Sequence, residues 1–335
     1  MRECIGGRYV RLDAVRALAI VMVVAIHSVH EYMDEAAYQA LLPYFCTPVL
    51  FFMTSGALIF PVRDGRAFVR RRLCALLPAF AFWTVAYLLM DYYLTPHQDV
   101  GIGHRLLYCL YTPTWGTGWF VPAMAGLYLF APFLSPWLAT ARRRSVEFFL
   151  LLWLAAGTLP WASAQTAILA DGGGIFTGFY GCMGYMVAGY YLTRWPVGTR
   201  SRRWQWCFWA LALAVSVPLT LKMGAVAMRW GYYDAVTALA GVNVIAIQTA
   251  LFALLTALPA PCGILARLCI SLGRCSYGIY LCHIAILHYG LRLAGIDLGA
   301  AANGVLSLAA SYLLTLGWRA AKSRLRQRLA ARQKT

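Results

Sequence analysis

The chain has 335 residues, 61% hydrophobic and 12% charged, with a formal net charge of +17. That composition excludes an ordinary soluble domain: apolar runs of ~20 residues recur, each long enough to cross a bilayer core of ~30 Å. Unclosed strands in lipid would leave backbone groups unpaired, so the fold class is an all-α integral membrane protein.

Ten transmembrane helices are predicted, at about 11–30, 43–60, 73–94, 118–138, 146–163, 175–193, 205–223, 236–258, 275–292 and 300–318. With the N-terminus inside, the inner connections hold "RDGRAFVRRR", "ARRRS", "RWPVGTRSRRW", Arg267, Arg274 and the basic tail. Of the 29 basic residues, only Arg105, Lys222, Arg229 and Arg292 fall outside. This asymmetry predicts that both termini are cytoplasmic, and it accounts for the charge without nucleic acid as a partner. Residues 1–318 form one membrane domain in this reading, and 319–335 a basic cytoplasmic tail lying on anionic lipid headgroups. No small-residue cleavage site follows "VVAIHSVHEY", so the first run is expected to stay as a span. The connections 95–117 and 194–204 are too short for a soluble domain.

The first span, "RLDAVRALAIVMVVAIHSVHEY", carries the densest set of polar groups: Asp13, Arg16, His27 and His30. Charged groups within spans are costly and are functional candidates by default. Asp13 and Arg16 are three apart and can share a helix face. Arg16 and His27 are eleven apart, which puts them on one face with roughly 16 Å between them along the axis. A snorkelling arginine and an interhelical histidine bond are the ordinary uses of such residues. The shared face tips His27 towards function. His30 sits beside Glu31, Asp34 and Glu35 and reads as an outer-interface residue.

The second span ends "PVLFFMTSGALIF", where Ser55-Gly56 lets a ligand or, more commonly, another helix come close. Arg70, Arg71 and Arg72 crowd the mouth of the third span, as positive-inside anchors or as a clamp for phosphate groups. Trp115 and Trp119 open the fourth span, either as an aromatic belt or as a platform for a sugar ring or acyl group. The ninth span, "LGRCSYGIYLCHIAILH", brings Tyr280, His283 and His288 into or near the membrane, with Tyr280 and His283 on one face.

Other chemistries find little support. There is no GxGxxG, Walker loop, GxSxG or HExxH. The ten cysteines are scattered without CxxC or zinc spacing, so no metal is expected. A transporter or polysaccharide exporter is the alternative reading. It would want a central carboxylate, whereas Asp91 and Asp234 lie near span ends and Glu147 starts a span. A non-catalytic membrane partner that binds lipid or glycan is a third.

Taken together, the segments resemble the acyltransferase 3 family of membrane proteins. "LDAVRALAIVMVVAIH" is similar to the family's first span, an Asp, an Arg and then a His eleven residues later, here Asp13, Arg16 and His27. "FFMTSGALI", "RRRLCALLP", "WFVPAMAGLYLFAPFL" and "CSYGIYLCHI" resemble later family segments, in order and over most of the chain. One position departs: Cys74 and Ala75 stand where the family often has a second arginine.

The resemblance implies a multi-pass protein of the bacterial cytoplasmic membrane. It also implies transfer of an acetyl or other acyl group from acetyl-CoA (acyl-CoA) to a hydroxyl of an envelope carbohydrate or lipid-linked glycan. In that scheme His27, Arg16 and Asp13 are catalytic, with His27 a general base or a covalent acyl carrier. Arg70, Arg71 and Arg72 bind the donor's phosphates. Ser55, Trp119, Tyr280 and His283 are substrate-binding.

Overall fold

The structure is a computed structural model and describes residues 4–5, 8–94, 103, 117–162, 175–195, 201–230 and 241–332. Among these, the architecture is all-helical apart from a two-residue antiparallel pair, β1 (Cys4–Ile5) with β2 (Arg8–Tyr9). The helices are α1 (Val10–Tyr32), α2 (Glu35–Phe45), α3 (Pro48–Ile59), α4 (Gly65–Leu94), α5 (Phe120–Thr140) and α6 (Arg143–Ala162). They continue with α7 (Ile175–Arg194), α8 (Arg202–Trp230), α9 (Val242–Ala257), α10 (Gly263–Ile284) and α11 (Ala300–Arg332). A π-helical segment, Ala285–Arg292, extends α10.

Among the described residues, seven helical stretches are long and apolar enough to cross a membrane: Val10–Tyr32, Glu35–Ile59, Gly65–Leu94, Phe120–Thr140, Arg203–Ala225, Gly263–Arg292 and Ala300–Arg324. Helix α9 is apolar but has 16 residues, fewer than the ~20 a bilayer core asks for. A helix occupies each of the ten stretches marked in the sequence, although 163 and 236–240 lie outside the described residues. The second stretch begins at Glu35, not 43, because Asp34 caps α2 by accepting a hydrogen bond from the Ala37 amide at 2.7 Å. Helix α11 runs without a break past residue 318 into the basic tail.

A break at Cys46–Thr47 separates α2 from α3. In an apolar setting its freed backbone groups need partners. The Gln248 amide donates to the Tyr44 carbonyl at 3.0 Å, and the Thr47 hydroxyl donates to the Ala19 carbonyl at 3.1 Å. Helices α3 and α7 approach through two glycines: a Cβ on Gly56 would run into the Met186 carbonyl, and one on Gly189 into the Met53 carbonyl. The Ser55-Gly56 step thus serves helix packing through its glycine.

Helix α1 is buried nearly all round, from Val10 and Val15 to Ile20, Val24 and Ser28. It lies against α10, whose Gly273 leaves no room for a side chain beside Asp13. Further along, His27 meets His283, and Glu31 pairs with His288 at 3.0 Å. Contacts that rise together on both helices show that α1 and α10 run parallel. Helix α4 joins them in the same direction: the Tyr277 hydroxyl donates to the Leu76 carbonyl at 2.6 Å and the Tyr87 hydroxyl to the Leu281 carbonyl at 2.8 Å. Helix α11 returns the other way. The Ser28 hydroxyl donates to the Ala300 carbonyl, Ser307 to the His283 carbonyl, and Arg319 to the Arg274 carbonyl.

Candidate active site

A cavity of about 190 Å³ opens where α1, α3, α4, α5 and α10 meet. Arg16, Ser55, Arg72, Ser276 and Tyr280 supply polar groups to its wall, with Phe51, Phe120 and Tyr128 among its aromatic neighbours. Four of the residues singled out in the sequence, Arg16, Ser55, Arg72 and Tyr280, therefore share one space although they come from four helices.

The arginine triplet splits. Successive residues on a helix point ~100° apart, so three neighbours cannot face one site. Arg70 and Arg71 are exposed, whereas Arg72 is half-buried and lines the cavity. The Arg72 guanidinium carbon lies 5.5 Å from the ring centroids of both Phe68 and Tyr128, within cation–π range. Its Nε is buried and has no hydrogen-bond partner among the described residues. Ala75 lines the same cavity one turn on.

Asp13 is buried, 3% exposed, against the Gly273 backbone. Arg16 is half-buried and reaches the cavity one turn above it.

The two histidines form the next layer. His27 is half-buried and does not itself line the cavity; its ring centroid lies 5.2 Å from that of His283. His283 in turn lies 6.1 Å from the cavity-lining Tyr280 ring. From Ser276 to His283 the rise along α10 is about 10 Å. The order along the parallel helices is thus two arginines, a tyrosine, then two histidines.

His283 is fully buried, and its tautomer follows from its partners. Nδ1 faces the Tyr280 carbonyl at 2.8 Å and the Ile279 carbonyl at 3.2 Å, and carbonyl oxygens only accept. Nδ1 therefore carries the proton, which leaves Nε2 as the lone-pair atom of the neutral ring. Nε2 is buried without a hydrogen-bond partner among the described residues.

Trp119 does not line the cavity. It packs 6.2 Å from Phe52 and 6.3 Å from Phe120, so it supports the aromatic wall from behind. Trp115 and Asp234 lie outside the described residues. His30 is exposed, with its ring 4.6 Å from Tyr38, and does not line the cavity. Among the described residues no His, Cys, Asp and Glu side chains gather as a metal site.

A family model described as an acyltransferase domain, Acyl_transf_3, matches residues 9–318. The chain belongs to the acyltransferase 3 family. With its apolar helices, it is an integral, multi-pass membrane acyltransferase. No curated protein and no solved structure matches this acyltransferase. Its Asp13, Arg16 and His27 are visible in sequence through their spacing. Tyr128, Ser276 and Tyr277 join the cavity without having been singled out. Ser276 and Tyr277 do stand in the "CSYGIY" segment. Tyr128 likewise stands in the "WFVPAMAGLYLFAPFL" segment, but its pairing with Arg72, whose guanidinium comes over its ring from another helix, is visible only in the structure.

Proposed function

We propose that this acyltransferase takes an acetyl or longer acyl group from cytoplasmic acyl-CoA and passes it to a hydroxyl of an envelope or exported carbohydrate. The observation that carries the reading is the order along α1, α4 and α10. Two arginines share one cavity, and a histidine pair lies further along the same parallel helices, roughly 16 Å beyond Arg16 on α1 and about 10 Å beyond Ser276 on α10.

In this scheme Arg72 and Arg16 take the anionic and polar parts of the donor, and the exposed Arg70 and Arg71 guide its phosphates towards the mouth. The long pantetheine arm lies along α1 and brings the thioester towards His27. Asp13 holds Arg16 in place. His27 takes the proton of the attacking hydroxyl as the oxygen–carbon bond forms. The carbon–sulfur bond then breaks, and the proton passes to the thiolate, so that CoA leaves as a thiol. Ser55, Tyr280 and His283 orient the acceptor, with the lone pair of His283 Nε2 available to a hydroxyl, and Trp119 backs the aromatic wall. An apolar, enclosed setting keeps water from hydrolysing the donor.

The protein spans the bacterial cytoplasmic membrane ten times in this reading, with both termini inside. The parallel course of α1, α4 and α10 supports it, since the first, third and ninth spans of such a chain share a direction. The basic tail lies on anionic lipid.

The test is label transfer. Purified protein in liposomes receives labelled acetyl-CoA and extracted envelope glycans, for wild type, His27→Ala and Arg16→Ala. Donor-dependent glycan labelling that disappears in a folded His27→Ala is the expected result. Label trapped on the protein itself assigns His27 the covalent-carrier role. No CoA binding and no transfer with a competent acceptor refutes the scheme and favours an exporter.

A further inference from the structure

We propose that Tyr87, on α4, is the positioning residue that interrupts the α-helical ladder of α10 at His283, so that His283 and His288 both face α1. The inference rests on the acyl-transfer reading and extends it to a residue outside the cavity.

The Tyr87 hydroxyl donates to the Leu281 carbonyl at 2.8 Å and accepts from the Ala285 amide at 3.1 Å. Leu281 and Ala285 are four apart, the two ends of one α-helical hydrogen bond. The hydroxyl bridges them, and the Ala285 amide turns to the Cys282 carbonyl, one residue short of the α-helical partner. A side chain inserted into the ladder is one of the few things that distorts a helix sharply. His283 sits in the middle of the bridged turn. Immediately beyond it the helix becomes π-helical, from Ala285 to Arg292. The Leu293 amide donates to the His288 carbonyl at 2.9 Å, and that of Ile296 to Leu291 at 3.0 Å, both five residues back.

The wide turn matters because of what faces α1. His27 and Glu31 are four apart and lie within about 40° on α1. Their partners, His283 and His288, are five apart. On an unbroken α-helix, residues five apart diverge by about 140°, so one of the two would turn away. A π-helix winds wider, with hydrogen bonds five residues back, so residues five apart diverge much less and both histidines can look at α1. Tyr87 is buried among Ile284, Tyr289 and Trp83, which leaves its hydroxyl no other direction to serve. Its buried hydroxyl thus sets the face of α10 that carries His283.

The variant is Tyr87→Phe, which removes one oxygen and keeps the ring. In reconstituted protein with labelled acetyl-CoA, kcat is expected to fall by up to about 10²-fold, as for a small misplacement near the chemistry, with the donor KM within about twofold. In a His283→Ala background the same change is expected to cost nothing further, because Tyr87 acts through His283. A second readout does not use activity. Cysteines placed by Glu31→Cys and His288→Cys are oxidised and the cross-linked peptide is followed by mass spectrometry. The cross-link is expected to form more slowly when Tyr87→Phe lets the turn close. Wild-type cross-linking in Tyr87→Phe, or a kcat loss that adds in full to that of His283→Ala, overturns the proposal. If the unmodified protein transfers no acyl group, the acyl-transfer reading falls by itself, and the cross-linking arm still decides whether Tyr87 sets the turn.

Discussion

The rings of His27 on α1 and His283 on α10 lie 5.2 Å apart, and the second is locked by two backbone carbonyls into the tautomer that leaves Nε2 free of a proton. His27→Gln keeps much of the shape of the ring and removes the base. Transfer is expected to drop by roughly 10²–10⁴-fold, with donor binding by isothermal titration preserved. Loss of CoA binding in His27→Gln would instead make His27 part of the donor site.

The arginine triplet offers a sharper test of the cavity. Arg72→Ala removes a guanidinium held over Phe68 and Tyr128 and is expected to raise the donor KM by roughly tenfold or more. Arg70→Ala and Arg71→Ala, which alter exposed side chains, are expected to raise it severalfold at most and chiefly at low salt. Three equal effects would mean that the cavity does not select among them.

The contact between α3 and α7 predicts a stability effect with no direct catalytic part. Gly56→Ala and Gly189→Ala each place a methyl group where the opposite backbone stands. Each is expected to cost about 1–3 kcal/mol or more, read as a lower midpoint in a thermal aggregation assay in detergent. Gly317→Ala, where a Cβ meets nothing, is the control and is expected to leave the midpoint unchanged.

At the break between α2 and α3, Gln248→Leu removes the donor that serves the Tyr44 carbonyl. Gln248 is fully buried and its bond to the half-buried Tyr44 is partly shielded from water, so a loss of about 1 kcal/mol is expected. Specific activity per folded molecule should stay near wild type, because the break lies away from the cavity wall.

Much of the site was legible because first-span chemistry is local. Asp13, Arg16 and His27 stand at helical spacing on one strand of sequence, and a charged group in a span announces itself by its cost. Which arginine of Arg70, Arg71 and Arg72 faces inward was not legible: the answer depends on Phe68 below and on Tyr128 from another helix. Tyr87 was hidden for a similar reason. A tyrosine in an apolar helix has no distinctive neighbours in sequence, and its hydroxyl acquires meaning only when α10 arrives beside it. Nor does "AILHYGLR" look different from an α-helical segment, yet it winds as a π-helix. The start of the second stretch was misplaced by eight residues because Asp34 acts as a cap in a segment that reads as polar loop.

The cavity wall draws on α1, α3, α4, α5 and α10, and this has a bearing on how the protein is made. A nascent chain that has reached Leu94 already contains Arg16, Ser55 and Arg72, but it has neither Tyr280 nor His283. Through most of translation the growing chain carries only part of the cavity wall. The wall is completed late, when α10 has been made and lies alongside α1, with its Leu281 carbonyl accepting from the Tyr87 hydroxyl.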